Sequence, residues 1–139
     1  MALSRMGEGK AISLDRVAKA TQISRRYLEQ LAMSLRTASL VRSVAGRNGG
    51  YLLAQPAKEI RLGRIIEASI GPINIVECVG RPETCLKADV CECRLLYSMV
   101  NQRIETAFNE FTLADLSDKK WRRRMARRLE GMKSGEKRM

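Results

Sequence analysis

Two serines eleven residues apart, Ser13 and Ser24, constrain what this chain can fold into more than any other feature. Each stands just before an apolar pattern of helical period. A serine hydroxyl in that place accepts from the unpaired N–H groups of a helix's first turn. A cap at Ser13 starts a helix over residues 14–20, with Leu14, Val17 and Ala18 on one face and Asp15 favourably placed at its positive end. The second cap follows so soon that only Thr21, Gln22 and Ile23 remain for a turn. The second helix runs to about Thr37, with Tyr27 or Leu28, Leu31, Ala32 and Leu35 on its inner side. Two short helices joined by three residues make a helix-turn-helix; the alternative is an ordinary helical hairpin with a solvated charged face.

The outer side of the second helix carries Ser24, Arg25, Arg26, Glu29, Gln30 and Met33. Arginine can fork onto guanine, glutamine onto adenine, and glutamate can accept from cytosine, so this face suits a DNA major groove. Two apolar runs follow, residues 40–44 and 51–54, separated by Ala45-Gly46-Arg47-Asn48-Gly49-Gly50. Glycines there permit a hairpin turn and a close approach to another surface. A hairpin after the second helix of a helix-turn-helix is a wing. Arg47 and Asn48 at its tip are placed for a minor groove, and Arg42 for phosphate. A further helix is expected over residues 60–70, with Leu62, Ile65, Ile66 and Ile70 packed back on the front module and Gly71-Pro72 ending it. Residues 1–6 read as the end of a helix stopped by Gly7 and Gly9.

All four cysteines fall in one window, spaced Cys78-x6-Cys85-x5-Cys91-x-Cys93, and histidine is absent. No signal peptide or membrane-length apolar run is visible, so the chain is expected in the cytoplasm with no membrane partner. Thiols stay reduced there, and a tight group of them favours metal or redox chemistry over structural disulfides. The close cysteine pairs of zinc knuckles are missing, whereas longer gaps suit a loop wrapped around an iron–sulfur cluster. Zinc, a cluster-free thiol or disulfide switch and an inert loop remain as alternatives. An iron–sulfur electron carrier that does not bind DNA is a further one. Without histidine or a nucleophile–base pair, no enzymatic role is expected.

Residues 94–111 form a long helical pattern with an apolar stripe of Leu96, Val100, Ile104, Ala107, Phe108 and Phe111. Little of the chain remains to cover that stripe, so a second copy is the economical partner. Helix-turn-helix proteins often read two half-sites as symmetric dimers. Charge is divided along the chain. Residues 1–64 carry 12 basic and 4 acidic side chains, residues 65–116 carry 4 and 8, and residues 117–139 carry 10 and 3. A basic front points to a polyanionic partner. The basic tail reads either as a solvated segment or as extra phosphate contact, with Trp121, Met125 and Leu129 at helical spacing.

Several stretches carry a family resemblance: I-S-R-R-Y-L-E-Q-L at 23–31, L-V-R-S-V at 40–44, G-G-Y-L-L at 49–53, the cysteines after I-V-E-C at 75–78, and F-T-L-A-D-L at 111–116. In this order they make residues 1–116 resemble the bacterial winged-helix regulators that include IscR, NsrR and CymR. The resemblance implies a mainly α fold with a small β-hairpin wing and a long dimerisation helix. It implies a homodimer, expected to bind a double-stranded DNA operator; repression by blocking promoters is expected in preference to activation. It also implies a cluster held by Cys78, Cys85 and Cys91; IscR-like members hold 2Fe–2S and NsrR-type members 4Fe–4S, and 2Fe–2S is favoured here. CymR-like members lack the cysteines. Arg26, Glu29 and Gln30 fall where members read bases. Three positions depart from the pattern: Arg94 stands where IscR-like members have a histidine, leaving Cys93 as a substitute ligand; Ala45 stands where an arginine is usual; and the family's first helix begins before Met1, so the chain is expected to start inside it. The expected divisions are a winged helix-turn-helix at 1–72, a cysteine loop at 73–93, a dimerisation helix and closing segment at 94–116, and a basic tail at 117–139.

Overall fold

A computed structural model describes residues 1–7 and 9–136, and the side-chain surroundings of these except for 132–136. The tail's last three residues, 137–139, lie outside the described residues. The helices are α1 (Ala2–Met6), α2 (Leu14–Thr21), α3 (Arg25–Thr37), α4 (Leu62–Ile70), α5 (Glu77–Gly80), α6 (Glu92–Asn109), α7 (Leu113–Ser117) and α8 (Trp121–Glu136). Strands β1 (Val41–Val44) and β2 (Gly50–Leu53) form the hairpin between α3 and α4. The expected fold, mainly helical with a two-stranded wing, is what the chain adopts. Among the described residues no helix is long and apolar enough to cross a membrane.

Both serine caps form. Ser13 Oγ accepts from the Arg16 N–H and Ser24 Oγ from the Tyr27 N–H, each at 3.3 Å. Between them Gln22 takes the left-handed conformation, φ 58°, which turns the chain sharply enough for α3 to cross α2. Leu28, not Tyr27, supplies the inner contact of α3, packing with Ile12 and Val17 in one core cluster. A second cluster centres on Leu40, Ile60 and Leu113, with Leu35, Leu53 and Ile65 against it. Leu113 comes from beyond α6, so the chain's later part completes the core of its front. Ile70 does not join that packing. It is the last residue of α4 and 75% exposed, because five residues after Ile65 it stands about 140° round the helix from the packed side.

The hairpin pairs Val41 with Leu53 and Val44 with Gly50. Ile12 adds a third, single-residue rung, exchanging two 2.9 Å backbone hydrogen bonds with Tyr51. A Cβ on Gly50, at φ 151°, would collide with the Ile12 carbonyl, so glycine is what lets the wing lie against the start of α2. A parallel device joins the far end. The Leu62 N–H donates to Phe111 O at 3.0 Å, Leu113 N–H to Ile60 O at 2.9 Å, and Ala114 N–H to Ala57 O at 3.1 Å. These bonds fix the end of α6 to the front module.

Candidate DNA-reading face and cysteine loop

On α3 the side chains expected to face DNA fall into two groups. Arg25 is engaged within the chain: its Nη1 donates to both carboxylate oxygens of Asp15 at 2.8 and 2.9 Å, and its Nε to Glu29 Oε1 at 3.0 Å. Those two carboxylates, the Glu29 hydrogen bond first, raise the pKa of Arg25 above its already high ordinary value. The network crosses from α2 to α3. Ser24 spends its hydroxyl on the cap. Arg26 and Gln30 are exposed and their side chains have no partner among the described residues; Met33 lies beside them, also exposed. These three, at i, i+4 and i+7, share one helix face. On the wing, Arg42, Arg47 and Asn48 are exposed and likewise unpaired among the described residues. Gly46, at φ 107°, and the Gly49 N–H bond to Gly46 O at 2.9 Å shape the tip that carries Arg47 and Asn48. A groove between α3 and the wing is lined by Asp15, Arg25, Glu29, Met33, Gly50 and Tyr51. Recognition helix and wing tip thus present unpaired polar groups from one compact support, which is what base and phosphate contacts need.

The cysteine loop is built differently. It passes through α5 and two short 3-10 turns, Pro82–Thr84 and Ala88–Val90, before α6. Cys78 is half-buried in α5, Cys85 is exposed after the first 3-10 turn, Cys91 is half-buried at the start of α6, and Cys93 is exposed in its first turn. All four thiols are free. Helix α6 begins at Glu92, so Cys91 and Cys93 flank its first residue and do not share a face. Among the described residues no three Cys, Asp or Glu side chains stand together as a metal-binding group. The donor chemistry fits an iron–sulfur cluster, since thiolates are its usual ligands. Their present spacing does not gather them.

Two polar side chains of α6 hold the loop: Arg94, marked in the sequence only as standing in place of a histidine, and Asn101, which the sequence reading did not pick out. Arg94 donates from Nε to Cys78 O at 2.9 Å and from Nη1 to Ala88 O at 3.3 Å. Asn101, only 4% exposed, accepts from the Ile75 N–H at 3.1 Å and donates to Ile73 O at 2.8 Å and Asn74 Oδ1 at 3.0 Å. The signal available for Asn101 was its helical spacing from Tyr97, Ile104 and Phe108, which puts a polar residue on an apolar face where it buries only with partners.

The expected stripe on α6 divides. Val100, Ile104, Phe108 and Phe111 are half-buried within the chain, and Ala107 is exposed. The open apolar surface lies at the helix's first half, on Leu95, Leu96 and Met99, near Leu86 and Val90 of the loop in sequence.

Residues 1–119 match the Rrf2 family, described as iron-dependent transcriptional regulators. The chain is 39% identical over 121 residues to an HTH-type transcriptional regulator of Haemophilus influenzae, covering 87% of this chain and 80% of that one. It is 38% identical over 105 residues to IscR of Serratia proteamaculans, covering 76% of this chain but 63% of that relative's length. Among solved structures, CymR, the global cysteine regulator of Bacillus subtilis, superposes with a TM-score of 0.64 at 33% identity, over 83% of this chain and 84% of that one. IscR of T. potens gives 0.64 at 31% identity, over 82% and 74%. With a capped helix-turn-helix, a glycine-hinged wing and a long helix behind them, the chain belongs to the Rrf2 family of transcriptional regulators.

Proposed function

We propose that this chain is a DNA-binding repressor whose operator affinity is set by an iron–sulfur cluster on residues 78–93. Arg26, Gln30 and Met33 contact bases in the major groove, and Arg47 and Asn48 enter the minor groove. Arg42 meets phosphate, while Ser24, Arg25 and Glu29 position the recognition helix at the same surface. Cys78, Cys85 and Cys91 hold the cluster, 2Fe–2S in preference to 4Fe–4S, with Cys93 as the fourth thiol because Arg94 is no ligand. Bound there, the cluster supplies a redox- and iron-sensitive link between segments that hydrogen bonds alone otherwise hold. The observation that carries this proposal is the placement of four free thiols on a loop tied to α6, whose far end is hydrogen-bonded to the reading head. A change in the loop therefore has a continuous route to the tilt of α3. A coupling of about 1–3 kcal/mol is typical of such regulation.

The working unit is a homodimer joined through the first half of α6, where Leu95, Leu96 and Met99 are exposed in the single chain. Leu96→Glu should convert the dimer to monomer in sedimentation velocity and remove operator affinity.

The test is the visible spectrum of anaerobically purified protein, with iron and acid-labile sulfide assayed on the same sample. Sulfide-bearing colour that Cys85→Ala removes supports the cluster. A second reading, a cluster-free thiol–disulfide or zinc switch, draws on the exposure of Cys85 and Cys93 and on their not being gathered with the other thiols. Colourless protein that resists reconstitution, and whose DNA affinity follows a thiol oxidant or added zinc, selects it. Sulfide-bearing protein indifferent to every DNA sequence would instead identify an electron carrier.

A further inference from the structure

Helix α8 lies beyond the residues that match the family. It is not a loose tail. Trp121 meets the Phe111 ring edge-on, with centroids 6.4 Å apart and planes at 86°. The Arg128 guanidinium sits 5.6 Å above the same ring and pairs with Glu110 at 2.7 Å. Arg124 pairs with Asp118 at 2.7 Å. Trp121, Arg124, Met125 and Arg128 therefore make the anchored side. Phe111, which meets Trp121 and Arg128, also accepts the backbone bond from Leu62. Arg5 adds a 2.8 Å bond to Leu116 O, and Ser117 Oγ lies 2.9 Å from Ser4 Oγ. Helix α8 is thus referenced to the reading head through short connections.

Helical geometry turns the remaining arginines away from that anchor. Arg123 and Arg127 are one turn apart on the far side, and Arg122 stands between the two sides. All three are exposed and have no partner among the described residues. Lys119 and Lys120, also exposed, extend the positive surface at the helix start. Of the large apolar side chains a membrane-surface helix would insert, Trp121 and Met125 are half-buried and Leu129 is exposed, so residues 121–131 offer no continuous apolar face. What α8 offers outward is three unpaired guanidinium groups, whose shape matches phosphate oxygens, with the single carboxylate of Glu130 on the same side among the described side chains.

We propose that α8 is a phosphate clamp: Arg122, Arg123 and Arg127 bind the backbone of duplex DNA flanking the bases read by α3, without regard to sequence. This rests on the proposal that the front module binds DNA, and supplies affinity where α3 and the wing supply selectivity. Neutralising a phosphate steepens the salt dependence of binding by about 0.9 in log–log slope.

The experiment titrates a mixed-sequence 40-base-pair duplex (a length chosen to be roughly four turns at about 10 base pairs each) by fluorescence anisotropy across a potassium chloride series. The full chain is compared with Arg122→Ala/Arg123→Ala/Arg127→Ala, whose anchoring residues are untouched and whose helicity is checked by circular dichroism. The slope should become shallower by about 2–3 per bound chain, with at least a tenfold loss of affinity at low salt that is equal on every sequence. A companion variant, Arg26→Ala/Gln30→Ala, should keep most of the slope and lose discrimination between sequences. An unchanged slope in the triple variant, with the full chain still binding DNA, overturns the clamp and leaves the reading head standing. No DNA binding by the full chain overturns both. Triple-variant loss confined to phosphatidylserine vesicles or to an acidic protein would also overturn the clamp, because the partner would not be DNA.

Discussion

The front module and the cysteine loop meet in α6 yet are stabilised by different physics. The front holds two apolar clusters, and Leu40 and Ile60 are its most deeply buried large side chains at 2% and 1% exposure. In the loop, residues 73–91, Ala88 is the one buried hydrophobic residue, and order comes from the hydrogen bonds of Arg94 and Asn101. Apolar burial is indifferent to iron and oxidant. Free thiols are not, and the hydrogen bonds around them are few. The comparison teaches that a loop held by few contacts can open at little cost while the part it is joined to stays folded.

The strongest way to break that contrast is Leu40→Ala. Removing a buried leucine side chain costs about 2–5 kcal/mol. In a domain whose total stability is on the order of 5–15 kcal/mol, this should lower the urea midpoint of the whole chain and abolish DNA binding at moderate temperature. Leu86→Ala, at a fully exposed loop position, should leave the monomer's midpoint in place. Equal effects from the two substitutions would show that head and loop unfold as one unit.

Asn101→Ala sharpens the comparison from the loop's side. It strands the Ile75 N–H and Ile73 O, at a cost of about 1–3 kcal/mol if both stay dry. The loss should appear as faster hydrogen exchange at residues 73–75, with the amides of Leu40 and Leu113 still protected. If those amides exchange faster to the same degree, Asn101 is a core residue of the whole fold and the division drawn here fails.

How much of this was legible depended on how local each device is. The Ser13 and Ser24 caps, the glycine turn and the helix ending at Gly71 are written in neighbouring residues, and the chain adopts all of them. Three kinds of feature were not legible. The Ile12 rung needs one residue to meet Tyr51 across 39 positions, and no periodicity marks a single pair. The Asp15–Arg25–Glu29 network turns an arginine expected to face DNA toward its own chain, because two carboxylates sit within its reach. The stripe on α6 splits because a helix pattern shows which side chains are apolar but not which neighbour covers them. The same holds for the thiols: their spacing tells of a shared loop, while the bonds that tie Cys78 O and Ala88 O to α6 come from Arg94, at a position the family resemblance marks only as a missing histidine.

Arg94→Met tests that latch with a smaller effect. It removes two charge-assisted bonds from a half-buried site and keeps the aliphatic stem, so the cost should be about 1–2 kcal/mol. The readout is the rate at which a disulfide reagent modifies Cys78 and Cys91. Both half-buried thiols should react several-fold faster, while exposed Cys85 and Cys93 change little. A uniform change at all four would mean that Arg94 stabilises the protein generally and does not close the loop.

The smallest effect lies at the joint between the two regions. Asp115 closes a reciprocal cap with Thr112 at the start of α7: its carboxylate accepts from the Thr112 hydroxyl at 2.7 Å and from the Thr112 N–H at 2.8 Å, and Thr112 Oγ1 accepts from the Asp115 N–H at 3.2 Å. Those bonds, the hydroxyl's first, hold the Asp115 carboxyl below its ordinary range. A group whose pKa is lower folded than unfolded stabilises the fold above the unfolded value and loses that contribution as pH falls through the folded one. The cap is therefore intact above about pH 5 and weakens below the ordinary carboxylate value of about 4. Asp115→Asn should cost up to about 1 kcal/mol near neutrality, the usual scale of a cap. The difference between variant and wild-type urea midpoints should then shrink as the pH is taken from 6 to 3. Because Leu113 and Ala114 donate into the head beside this cap, acid should raise exchange at residues 112–115 before it touches Leu40. A difference that stays constant with pH would place the acid sensitivity elsewhere and make the joint as firm as the head it serves.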